Sequence, residues 1–76
     1  MLSAALEHLV KGIVDHPDEV RITSATSPRG EVLEVRVHPD DRGRVIGRGG
    51  RNAKALRTLI GALAGSRRVR VDVADD

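Results

Sequence analysis

Residues 45–57 read VIGRGGRNAKALR and gather the side chains suited to holding a phosphate backbone. Gly47-Arg48-Gly49-Gly50 has glycine at both ends of a GxxG turn, so the main chain bends tightly there without a Cβ clash. A sugar-phosphate chain can then approach the backbone itself. The N–H groups that open the following helix face such a ligand, and the helix dipole favours its negative charge. Arg48 stands at the tip of the turn, and Arg51, Lys54 and Arg57 recur at three-residue spacing behind it. With Arg44 on the preceding side they are expected to form a basic rim. Val45, Ile46, Ala53 and Leu56 supply apolar flanks, the expected floor of a groove that accepts bases.

Other chemistries fail on spacing. A Walker-type loop needs GxxxxGK[ST], and a dinucleotide fingerprint needs GxGxxG, where here Asn52 replaces the last glycine. His8, His16 and His38 have no second His, Cys or carboxylate at a metal-ligand spacing on one helix face. His16 and His38 both open His-Pro-Asp triplets at element ends and read as surface or capping residues. Asp40 and Asp41 are neighbours in sequence, whereas carboxylates that cleave a glycosidic bond face each other across a cleft; they read as helix caps. The serines lack a nucleophile-elbow context. No catalytic activity, metal or cofactor is expected.

The turn must be positioned by its flanking elements. Leu2, Ala5, Leu6, Leu9, Val10 and Ile13 follow helical spacing up to Asp15-His16-Pro17, where the proline ends the helix. Residues 20–24 alternate as a strand, Ser27-Pro28-Arg29-Gly30 turns, and Leu33, Val35 and Val37 alternate as the second strand of an antiparallel hairpin. A short helix is expected from Asp41 to Ile46, then the glycines. Ala53, Leu56, Leu59, Ile60 and Leu63 return to helical spacing, with Gly65 as C-terminal cap. Val69, Val71 and Val73 alternate as a third strand, and residues 74–76 are expected to fray. The order α-β-β-α-α-β predicts an α+β domain spanning 1–76, a three-stranded sheet with three helices on one face. Arg21, Glu34, Arg36, Arg70 and Asp72 then fall on the open face.

Composition narrows the partner. The 76 residues include no Phe, Tyr, Trp or Cys, so base stacking on aromatic rings, disulfides and thiolate metal sites are excluded. Net charge is +2, but residues 1–41 sum to −4 and residues 42–76 to +6, with no acidic side chain between Arg42 and Val71. An arginine-rich half of this kind suits a polyanion, because the planar guanidinium matches phosphate geometry. No segment has the make-up of a secretory signal or the ~20 apolar residues of a membrane span, so a cytoplasmic protein with no membrane contact is expected.

The run V-I-G-R-G-G-R-N-A-K-A-L resembles the KH-domain motif, [IV]-I-G-x-x-G followed by a basic-apolar helix. The element order resembles the type II, bacterial arrangement, and the length resembles the small stand-alone KhpA family, over about Leu2 to Val73. The resemblance implies a clamp on single-stranded RNA at Gly47, Arg48, Gly49 and Gly50, holding about four nucleotides. Val45, Ile46, Ala53 and Leu56 fall on the family's groove or supporting positions. Many KH domains carry a larger aliphatic residue where Ala53 stands, which implies a shallower groove and weak base discrimination. An RNA chaperone or post-transcriptional regulator is implied, with single-stranded DNA left open as a ligand. The resemblance also implies association, either as a homodimer or with a second KH protein of the KhpB (Jag, EloR) kind. Ala53, Leu56 and Ile60 are the expected apolar surface for it.

Overall fold

A computed structural model describes residues 2–74. Helix α1 spans Leu2–Lys11, strands β1 and β2 span Arg21–Ser27 and Gly30–Arg36, helices α2 and α3 span Arg42–Ile46 and Arg51–Ala64, and β3 spans Val69–Val73. The sheet order is β1-β2-β3, with β1 antiparallel and β3 parallel to β2. Parallel pairing needs a crossover, and α2, the glycine turn and α3 provide it. The fold is therefore the expected α-β-β-α-α-β type II KH arrangement.

Register decides which residues face the helices. Ile22, Val35 and Val73 share one row, and Leu33 pairs with Val71 in the next. Leu6 and Val10 from α1, Val45 from α2, and Leu56 and Ile60 from α3 complete a core with Leu33, Val35 and Val71. Burying each of these side chains stabilises the fold by about 1.5–3 kcal/mol relative to exposure. Alternation then sends Arg36, Glu34, Asp72 and Arg70 to the opposite face, as expected.

Several local expectations change. Helix α1 stops at Lys11 rather than running to Ile13, because Gly12 and Ile13 tighten into bonds on Leu9 and Val10, at 3.2 and 2.9 Å. Strand β1 runs on to Ser27, carried by its ladder to β2 and not by burial: from Thr23 onward it is exposed. Leu59 and Leu63 keep helical spacing but are 49% and 61% exposed, since a single sheet face cannot cover the full width of α3's apolar stripe. Conversely Ala53, Leu56 and Ile60, expected to form apolar surface for association, are 6%, 3% and 0% exposed. A charge at Ile60 therefore tests folding, not association. Of the tail expected to fray, residues 75 and 76 lie outside the described residues, while the Ala74 N–H is held by the Val35 carbonyl at 2.9 Å.

Asp41 does not cap α2 with its side chain. Its carboxylate turns away to accept the N–H groups of Asp15 and His16 at 3.1 and 3.0 Å, and meets His16 Nδ1 at 2.8 Å. His38 caps instead the single 3-10 turn Pro39–Asp41 that leads into α2, its Nδ1 accepting the Asp40 N–H at 3.0 Å. The two His-Pro-Asp triplets are thereby brought together, and the His16 and His38 rings stack with centroids 4.0 Å apart. This cluster ties the loop after α1 to the helix that leads into the glycine turn.

Candidate nucleic-acid interface

The turn is built from three consecutive requirements. Helix α2 closes with the Gly47 N–H on the Gly43 carbonyl at 2.8 Å. Gly47 then takes φ 79°, ψ 166°, and Gly49 and Gly50 are left-handed at φ 66° and 79°. Such values favour glycine. Space matters too: a Cβ on Gly47 would sit 2.7 Å from the Asn52 backbone nitrogen, whereas one on Gly49 would meet nothing within 4 Å. Gly47 is needed for close packing, and Gly49 only for its backbone conformation. The N–H groups of Arg48 and Gly49 open the turn, where no intrahelical carbonyl is available to them.

Asn52 locks this geometry. Its Nδ2 donates to the Arg44 carbonyl at 2.7 Å, stapling the last turn of α2 to the first of α3. In the sequence Asn52 reads only as a missing glycine. The signal for it was an amide side chain in a first helical turn, within reach of the carbonyls that the preceding helix leaves unpaired.

Beside the turn lies an open groove of about 490 Å³, bounded by Ile46, Gly50, Ala53, Arg57, Val73 and Ala74, with Glu34 and Asp72 at its sheet side. Of the expected apolar floor, only Ile46, 37% exposed, and the small Ala53 reach it. Val45 and Leu56 are core residues that support the floor from beneath. The basic rim also divides. Arg48, Arg51 and Lys54 are exposed and have no carboxylate partner among the described residues. Arg44 instead pairs with Asp15 at 3.0 Å, on the side of the His16–Asp41 cluster. Arg57 lies across the outer edge of β3, its Nε donating to the Val71 carbonyl at 2.9 Å. Among the described residues no group of three or more His, Cys, Asp or Glu is placed to hold a metal ion, and no helix is long and apolar enough to cross a membrane.

This geometry can be set beside known proteins. The family model for the KH domain of KhpA and KhpB matches residues 3–74. The chain is 74% identical over 76 residues to the RNA-binding protein KhpA of Leifsonia xyli subsp. xyli, covering 100% of both chains. It is 67% identical over 75 residues to the RNA-binding protein KhpA of Streptomyces coelicolor, covering 99% of this chain and 94% of that one. Against the RNA-binding protein KhpA of Mycobacterium tuberculosis strain H37Rv it is 63% identical over 71 residues, 93% and 88% of the two chains. No solved structure matches. With the full crossover unit inside the matched range, the chain belongs to the KhpA/KhpB KH-domain family.

Proposed function

We propose that this chain is a non-catalytic, cytoplasmic RNA-binding protein, a single KH domain that clamps single-stranded RNA by its backbone at Gly47–Gly50. It acts as an RNA chaperone or post-transcriptional regulator. The observation that carries this reading is the trio Arg48, Arg51 and Lys54, exposed and without carboxylate partners among the described residues, around a turn whose glycines leave the main chain bare. The names of its relatives agree with it. Phosphates meet the N–H groups of the turn and these cations, while bases lie against Ile46 and Ala53. A floor of one half-exposed isoleucine and one alanine discriminates weakly between bases. Contact is thus mostly with the backbone, and single-stranded DNA of the same sequence binds too.

The test is a salt titration. With about three phosphates contacted, log K for a short single-stranded RNA falls against log salt with a slope of roughly −2, at ~0.7 per phosphate. Binding indifferent to salt overturns the backbone clamp.

A second reading is favoured by Leu59 and Leu63, which with Ala55 and Ala62 line an exposed face of α3. Large side chains left uncovered four residues apart on a helix form a docking stripe for another KH-fold chain, a second copy or a KhpB-like partner. Sedimentation equilibrium checks it: the wild type associates reversibly, and Leu59→Asp with Leu63→Asp is monomeric with an unchanged melt. A wild type monomeric at high concentration removes the homodimer.

A further inference from the structure

A second group of arginines lies at the end of the sheet remote from the glycine turn. There the β1–β2 hairpin meets the connection from α3 to β3 so closely that a Cβ on Gly30 would sit 2.5 Å from the Arg68 carbonyl oxygen. That carbonyl accepts the Glu31 N–H at 2.9 Å, which zips the two segments together. Around the junction is an open cavity of about 480 Å³ whose walls include Arg29, Arg67, Arg68 and Arg70. These four cations come from two segments that only the tertiary fold makes neighbours.

The local carboxylates neutralise only two of them. Glu31 pairs with Arg67 at 2.7 Å and Asp72 with Arg70 at 3.0 Å. Arg29 and Arg68 are exposed and have no carboxylate partner among the described residues. Glu31 also accepts the Ser24 hydroxyl, so the anchor that orients Arg67 is itself held in place. The cavity therefore has an excess of positive charge, one arginine preset by an ion pair, and a backbone fastened on both sides.

Its position relates it to the groove. The groove is lined by β3 at Asp72 and Val73, and the arginine cavity by β3 at Val69 and Arg70. Arg57, fixed on the Val71 carbonyl, stands between them on the same strand edge. Helix α3, of 14 residues and hence about 21 Å long, separates the glycine turn at its start from Arg67 and Arg68 beyond its end.

We infer that Arg29, Arg67, Arg68 and Arg70 form a second phosphate-binding site, which takes a further stretch of the same RNA strand after it leaves the groove past Arg57. This rests on the RNA-binding reading above and enlarges its footprint. At ~3.4 Å per stacked nucleotide, about six nucleotides cover the distance beyond the four in the clamp.

The experiment measures binding of oligouridylates of about five and about ten nucleotides, lengths set by that footprint, to the wild type and to the double variant Arg29→Gln, Arg68→Gln. Both side chains are exposed and make no ion pair among the described residues, so the variant keeps its fold, checked by a thermal melt. The short strand binds both proteins equally. The long strand binds the wild type about tenfold more tightly than the variant, the worth of one net charge-assisted contact. Its salt slope is steeper in the wild type by about 1.4, for two added phosphates. Comparing proteins on the same strand removes the statistical gain of a longer ligand. Equal binding of the long strand by both proteins, with equal slopes, overturns the second site and leaves the clamp standing. Failure of the wild type to bind either strand overturns the clamp and the second site with it. An equal loss on the short strand places these arginines in the clamp's own footprint and overturns the extension.

Discussion

Replacing Arg48 and Gly49 together with Asp lowers affinity for a short single-stranded RNA by about a hundredfold or more and shifts the thermal melt by only a few degrees. Losing one charge-assisted contact to phosphate is worth about 1.5–3 kcal/mol, or roughly ten- to a hundredfold, and two carboxylates beside the backbone add repulsion. The fold is spared for a geometric reason. Position 49 is left-handed, at φ 66°, ψ 18°, which Asp tolerates better than most residues, and its Cβ would point into open space. Gly47→Ala behaves differently, because its new methyl strikes the Asn52 backbone at 2.7 Å and disturbs the staple between α2 and α3. Fluorescence anisotropy and circular dichroism on both variants separate the two roles. If Arg48→Asp, Gly49→Asp unfolds, the turn is a structural connector rather than a clamp.

Asp41→Ala lowers the melting temperature by about 10–15 °C without touching the glycine turn. Asp41 is 1% exposed, and its carboxylate is the acceptor for two backbone N–H groups and the His16 ring. Alanine leaves those donors without a partner and frees the loop after α1 from the start of α2. The same contact makes stability depend on pH. Hydrogen bonding to Asp41 raises the His16 pKa, with the charges of Asp41, Glu19 and Asp15 adding to it and burial opposing. Burial pushes the Asp41 pKa upward, but the bonds from His16 and from the Asp15 and His16 N–H groups outweigh it and leave it lowered.

The signs then follow from linkage. The His16 contribution is complete below its unfolded value of about 6.5 and is lost as pH rises through the raised folded value. The Asp41 contribution is complete above its unfolded value of about 3.9 and is lost as pH falls through the lowered folded value. The melting temperature therefore peaks between about pH 4 and 6.5 and declines toward pH 8. His16→Ala removes that alkaline decline. A wild-type melt that is flat from pH 5.5 to 8 means the ring contributes nothing through its charge.

The element order and the glycine turn were legible from sequence because both rest on local signals. Periods of two and of 3.6 residues mark strands and helices, and positive φ is the province of glycine. Val69, Val71 and Val73 could be assigned to a strand, and Gly47, Gly49 and Gly50 to a turn, without knowing their neighbours. The basic bias of residues 42–76 was likewise a property of composition.

What the tertiary structure decided is which side of each element is covered. Leu56, Leu59, Ile60 and Leu63 share one helical stripe in sequence, yet packing buries Leu56 and Ile60 and leaves Leu59 and Leu63 outside. That division depends on the angle at which α3 meets the sheet, which no local period encodes. Arg44 and Arg57 look equivalent to Arg48 until Asp15 and the Val71 carbonyl claim them. Asn52 owes its role to a partner eight residues away and Asp41 to one 26 away, and Arg29 and Arg68 at the remote end are 39 residues apart in sequence. Sequence alone therefore determined that a bare, basic turn would exist. The packing of α2 and α3 against the sheet decided which cations remain available to a ligand, because ion pairs and edge hydrogen bonds form only between groups that the fold brings within reach.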